Sequence, residues 1–158
     1  MSVVIRAYRS TDCHALCVLF TETVHSVNLR DYTLEQVNAW ADGQIDEEAW
    51  NASFLAHRTW VAVDESGKMV GFLDLDDSGY LDRLYVHKDH QRQGIACMLC
   101  DEAEQWAAEH GIKEVHTYAS LTAIPFFEKH GYCLRYKQEV FRKGIGLVNA
   151  LMVKALRK

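Results

Sequence analysis

The stretch Leu81–Glu109, LDRLYVHKDHQRQGIACMLCDEAEQWAAE, decides the fold. Leu81, Leu84, Tyr85 and Val86 form an apolar, β-branched and aromatic run beside Gly79, which reads as a strand. Ile95, Met98, Leu99, Ala103, Trp106 and Ala107 recur at spacings of three and four, one apolar face of a helix. His110-Gly111 is its stop signal. Between strand and helix stands Gln91-Arg92-Gln93-Gly94-Ile95-Ala96. A helix starting at Gly94 leaves its first N–H groups unpartnered at the positive end of the macrodipole. Gly94 and Ala96 keep bulk away from that backbone, and Gln91 and Arg92 add donors and a charge. Such a junction suits a phosphate or pyrophosphate.

Two common phosphate-binding loops fail on the residues. A Walker loop needs Gly-Lys-Ser/Thr, and no Lys follows Gly94; a Rossmann fingerprint needs three spaced glycines early in a βαβ unit. What the stretch resembles instead is motif A of the GNAT superfamily of N-acetyltransferases, through Val86-x4-Gln91-x2-Gly94-x-Ala96. Downstream, Ser120-Leu121-Thr122-Ala123-Ile124-Pro125-Phe126-Phe127-Glu128-Lys129-His130-Gly131-Tyr132 is similar to that family's N-x-x-A-x-x-F-Y-E-K-x-G-F motif. The motifs stand in the family's order and separation, the likeness spans nearly the whole chain, and it is strongest to the bacterial YafP-like branch.

The chain has 158 residues, enough for one domain with a substantial core, here residues 1-158. Apolar residues make up 49% and charged residues 25%, ordinary values for a globular protein, and no apolar run reaches the roughly 20 residues of a membrane span. The start, MSVVIRAYRSTD, lacks the charged and apolar regions of a signal peptide, so a cytoplasmic protein is expected. A net charge of −5 without a basic face argues against nucleic acid. Five cysteines suggest no disulfide framework. Cys97-x-x-Cys100 is a redox or zinc half-site in spacing, but no second ligand pair follows, so no metal is expected.

In order, Val3 to Tyr8 reads as a strand, and Arg9-Ser10-Thr11-Asp12 as a cap for a helix running to about Asn28. Thr33 and Gln36 make a capping box for a second helix, and Asp46 to His57 reads as a third. Strands at Thr59–Val63 and Met69–Leu75 flank the turn Glu65-Ser66-Gly67-Lys68, and Glu139–Phe141 with Leu147–Val153 reads as a final hairpin. The order β-α-α-β-β-β-α-β-α-β-β resembles the GNAT fold. That likeness implies an α/β (α+β) protein with a mixed, mostly antiparallel sheet, splayed near its middle, and helices on both faces.

The resemblance implies an acetyl-CoA-dependent transferase acting on an amine, small-molecule or protein, by direct attack in a ternary complex, with homodimers common in the fold. Carried over residue by residue, the backbone of Leu84, Tyr85 and Val86 aligns the pantetheine arm. Gln91, Arg92, Gln93, Gly94, Ile95 and Ala96 hold the pyrophosphate. Ser120 stands where the family often has Asn, and either bonds the pantetheine or thiolate or caps the next helix. Phe127 stands where many members have the Tyr proposed as general acid. It cannot donate a proton and is left to pack on the cofactor arm, so the acid role is vacant or moved to Tyr118, Tyr132 or Ser120. An ammonium acceptor needs a base; Asp82 is the first candidate, then Asp74, then His116. His25 and Tyr32 stand out for the acceptor pocket, with Asp74 on its wall. A rival class, kept open by Phe127, is a non-catalytic acyl-CoA binder or sensor. A thiol or zinc module at Cys97 and Cys100 is a third.

Overall fold

The computed structural model describes residues 2–156. Strand β1 (Val3–Ala7) leads through a 3-10 turn at Ser10–Asp12 into α1 (Cys13–Ser26), followed by α2 (Leu34–Trp40) and α3 (Glu47–Ala56). The capping box is present: Thr33 Oγ1 accepts the Gln36 N–H at 3.1 Å, and Gln36 Oε1 accepts the Thr33 N–H at 2.9 Å. Asp46 caps α3 through the Ala49 N–H, at 3.1 Å. Asp12 does not cap α1. Its buried carboxylate accepts from both Arg6 guanidinium nitrogens, at 2.8 and 2.9 Å, and from the Arg9 N–H, so it ties β1 to the turn before α1.

Strands β2 (Arg58–Asp64), β3 (Met69–Leu75) and β4 (Leu81–Val86) join β1 in an antiparallel sheet of order β1-β2-β3-β4. Then come α4 (Ile95–Glu109), β5 (Glu114–Ser120), α5 (Ile124–Lys129), β6 (Cys133–Arg142) and β7 (Ile145–Ala155). The final hairpin is longer than its apolar runs indicate, and β7 lies between β5 and β6 in a second antiparallel sheet. The sheets meet along β4 and β5, the parallel pair of the fold. Tyr80 bridges His116, the His116 N–H donates to the Gly79 carbonyl at 2.9 Å, and Thr117 Oγ1 donates to the Leu81 carbonyl at 2.8 Å. Gly79 is required there: φ is +91°, and a Cβ would lie 2.3 Å from the Glu114 carbonyl oxygen. Beyond Leu81 the ladder between β4 and β5 ends. This opening is the expected splay.

One core lies under α4, where Ile95, Leu99, Cys100, Ala103 and Ala107 pack on Trp60, Ala62, Leu73 and Leu75. Met98, expected on that face, is partly exposed, and Cys100 fills the stripe instead. The other core sets Leu16, Phe20 and Val24 of α1 and Phe54 of α3 against Val61, Phe72 and Tyr85. Fully burying each large side chain contributes about 1.5–3 kcal/mol, so the sheet is anchored from both faces. Among the described residues no helix is long and apolar enough to cross a membrane.

Candidate functional site

The sequence makes α4 begin abruptly. Arg92 (φ 62°) and Gly94 (φ 79°) both adopt left-handed backbone, which turns the chain from its extended conformation at Gln91 into the helix within a few residues. Such backbone in a non-glycine residue is held only where surrounding structure enforces it, and it concentrates at functional sites. Gly94 caps α4 without a side-chain bond. The first helical bond runs from the Met98 N–H to the Gly94 carbonyl at 3.0 Å, and the N–H groups of Ile95, Ala96 and Cys97 have no backbone acceptor among the described residues. A Cβ on Gly94 would meet nothing within 4 Å, because it would project into a cleft.

That cleft has a volume of about 350 Å³, within the range of small-molecule sites. Leu84, Tyr85 and Val86 form one wall, Gln91, Arg92, Gly94, Ile95 and Ala96 the phosphate end, and Ser120 and Phe126 the far side. Gln91 works through its side chain: Nε2 donates to the Val86 carbonyl at 2.6 Å, locking the loop to the end of β4. Thr23 Oγ1 donates to the same carbonyl at 3.3 Å. Thr122 also lines the cleft, and its Oγ1 is buried without a partner, an unmet donor and acceptor. Free N–H groups, a Cβ-free backbone and an unmet hydroxyl fit a long ligand with a pyrophosphate at one end.

A second, smaller cavity of about 140 Å³ opens beside this cleft. Tyr32, Tyr80, Tyr85 and Tyr118 supply aromatic walls, and Asp82, Arg142 and Asn149 the polar groups. The two cavities share two lining residues, Tyr85 of β4 and Ser120 of β5.

Asp82 owes its position to a β-bulge. Leu75 pairs with Leu81 and Asp74 with Arg83, so Asp82 is an extra residue on β4. A bulge bends the strand and re-aims side chains. Here it turns the Asp82 carboxylate, whose side chain is 33% exposed, toward the smaller cavity. Partial burial pushes its pKa up, and the neighbouring Asp74 adds to the rise while Arg83 opposes it. Beside it, burial and then the Asp82 charge push the Tyr80 phenol up to about 12.

Asp74 is the main correction. Rather than facing acceptor space it is fully buried, accepting from Arg83 Nε and Nη2 at 3.1 and 2.7 Å, with His57 Nδ1 at 2.7 Å. Its alternation on β3 puts it beside Phe72, under α3. There the Arg83 guanidinium lies over the Trp50 and Phe54 rings at 4.8 and 4.4 Å and donates to Ser53 Oγ at 2.6 Å. Asp74 is therefore part of the floor that supports Asp82. The His57 pKa is raised, chiefly by its bond to Asp74 and against the effect of burial.

Other candidates fall out differently. Phe127 is 3% exposed and packs on Tyr132, leaving Phe126 as the aromatic at the cleft wall. The α5 register turns one of the two rings out, and position in the motif does not say which. Gln93 is exposed and lines neither cavity. The His25 ring is bonded to the Ala41 carbonyl and also lines neither. Tyr32 does line the smaller cavity, but its hydroxyl donates to the Val148 carbonyl at 2.5 Å and accepts the Leu121 N–H at 2.9 Å, so its ring is what a ligand meets. Ser120 Oγ accepts the Ala123 N–H at 3.2 Å, a bond in the turn before α5 rather than a cap, since α5 starts from Ala123 without a side-chain cap; Ser120 still lines both cavities. Tyr118 lines only the smaller cavity, and His116 lines neither, stacked on Tyr80. Cys97 is exposed at the cleft and Cys100 buried in the core, so the pair does not converge as a zinc half-site would. Arg142, Asn149, Thr122 and the buried His90 are site residues that no sequence spacing singled out.

Comparison with known proteins agrees with this geometry. Residues 28–155 match the family model described as an acetyltransferase (GNAT) domain. The chain is 31% identical over 151 residues to the uncharacterized N-acetyltransferase YafP of Escherichia coli K12, covering 96% of this chain and 95% of that protein. Among solved structures, the GCN5-related N-acetyltransferase from Rhodopseudomonas palustris superposes with a TM-score of 0.93 at 30% identity, over 99% of this chain and 97% of that one. PaiA N-acetyltransferase from Thermoplasma acidophilum, solved with coenzyme A, gives 0.81 at 20% identity over 98% and 99%. The opened seam between β4 and β5, the bare start of α4 and these matches together establish that the chain belongs to the GNAT family of N-acetyltransferases, with acetyl-CoA as its cosubstrate.

Proposed function

We propose that acetyl-CoA lies in the larger cleft and that an amine in the smaller cavity attacks its thioester directly, in a ternary complex. The observation that carries this reading is the meeting of the two cavities at Tyr85 and Ser120. The N–H groups of Ile95, Ala96 and Cys97 and the Arg92 guanidinium hold the pyrophosphate. The opened edge of β4 at Leu84–Val86 offers backbone groups to the pantetheine arm as a neighbouring strand would. Asp82 takes the proton from the ammonium, and its raised pKa brings it nearer the basicity that step needs. The amine nitrogen bonds to the carbonyl carbon as the carbon–sulfur bond breaks. Ser120 Oγ, which reaches both cavities, hydrogen-bonds the departing thiolate, filling the place that Phe127 cannot. Five free cysteines suit a reducing compartment and support action in the cytoplasm.

Initial rates measured while both substrates are varied test this. Direct attack gives reciprocal plots that intersect, and Cys97→Ala keeps turnover. Parallel plots with loss of turnover in Cys97→Ala would instead mean an acetyl-cysteine intermediate at the cleft.

A further inference from the structure

Resting on the acetyl-transfer reading, we propose that the acceptor is a small amine that also bears a carboxylate, with a free α-amino acid as the simplest case. Among the described residues lining the smaller cavity, Asp82 is the one carboxylate and Arg142 the one cation. Arg142 takes part in none of the ion pairs among the described residues. The adjacent basic residue, Lys143, is the one that engages Asp42. A planar guanidinium left open beside a cavity is a bidentate receptor for a carboxylate.

The second observation is Asn149. The residue lines this cavity, and its side-chain oxygen is buried with no hydrogen-bond partner. A buried acceptor left unmet is costly, and an ammonium would satisfy it. The strand register orders these groups along the cavity. Arg142 pairs with Ile145 at the turn of the final hairpin, whereas Asn149 pairs with Ser120, where the two cavities meet. Four residue steps along β7 separate the two positions, roughly 13 Å of backbone, a gap that a long arginine side chain shortens. The acceptor nitrogen thus sits by Asn149, Asp82 and Ser120, with its carboxylate toward Arg142 at the mouth.

Size supports the same class. The cavity, about 140 Å³, is below the roughly 300 Å³ at which drug-sized sites begin. A polypeptide N-terminus would bring an amine but no carboxylate to pair with Arg142, so a protein acceptor leaves the guanidinium unanswered.

The test is thiol release from acetyl-CoA with the common L-α-amino acids, each set beside its own carboxamide, in the parent and in Arg142→Ala, Arg142→Lys and Arg142→Glu. The amide keeps the amine and the side chain and loses only the charge. For the best acceptor, the ratio of kcat/KM for acid over amide falls on the order of ten- to a hundredfold in Arg142→Ala. It recovers in part in Arg142→Lys and inverts in Arg142→Glu. Turnover with an acid-to-amide ratio that is the same in parent and variants would overturn this inference and leave acetyl transfer standing. Absence of thiol release with every acid and every amide would overturn this inference, whereas the reading on which it rests falls only if no amine of any class releases thiol.

Discussion

At the scale of single residues, the account turns on Asp82. Partial burial and its neighbours give it the two properties the proposed base for an ammonium needs: a place on the smaller cavity and a pKa raised from the ordinary carboxylate value. Because the functional form is the ionised one, the parent's kcat/KM falls as pH drops through that raised pKa. Asp82→Asn removes the base, lowers kcat on the order of a hundredfold or more, abolishes that acid limb and leaves acetyl-CoA affinity near the parent's. Rate profiles of parent and variant from mild acid to neutral pH check this; an acid limb surviving in the variant assigns it to another group. Asp82 was legible in the sequence as a carboxylate on the right strand. The bulge that aims it was not, because a bulge is a mismatch of pairing between β3 and β4 that neither strand records alone.

At the scale of elements, β4 and α4 were readable because their signals are local: an apolar strand, a glycine at the turn, and a helical stripe within one stretch. The proposed phosphate site rides on backbone groups at that junction, so the proposed cofactor half goes with the fold. The proposed acceptor half is assembled from β4, β5, β6, β7 and the α2 region, and its residues lie far apart in the chain. Asp74 shows the cost of reading such a site locally. Strand alternation buries it beneath α3, where it neutralises Arg83, whose side chain is only 12% exposed. Removing one partner of such a pair strands the other charge in the interior. Asp74→Ala is therefore expected to destabilise the protein by about 3–5 kcal/mol, a fall in Tm on the order of 10 °C. Thermal unfolding followed by circular dichroism measures it, and a shift within a degree or two would mean that Arg83 finds other partners.

At the scale of the molecule, two antiparallel sheets closed at Gly79–Leu81 and parted beyond it set two cavities side by side, with Tyr85 and Ser120 lining both. Helices α1 and α4 brace opposite faces of the first sheet, and insertion of β7 between β5 and β6 brings Asn149 opposite Ser120. The most direct test of this arrangement is calorimetric titration of acetyl-CoA into the parent and into Gly94→Glu. A side chain there projects into open cleft, carries a negative charge to the pyrophosphate position and must adopt a left-handed φ that costs about 1 kcal/mol. The account predicts saturable binding by the parent and affinity reduced at least about a hundredfold in the variant, with its fold intact by circular dichroism. Equal binding by parent and variant would contradict it, because the cosubstrate would then lie somewhere other than the start of α4.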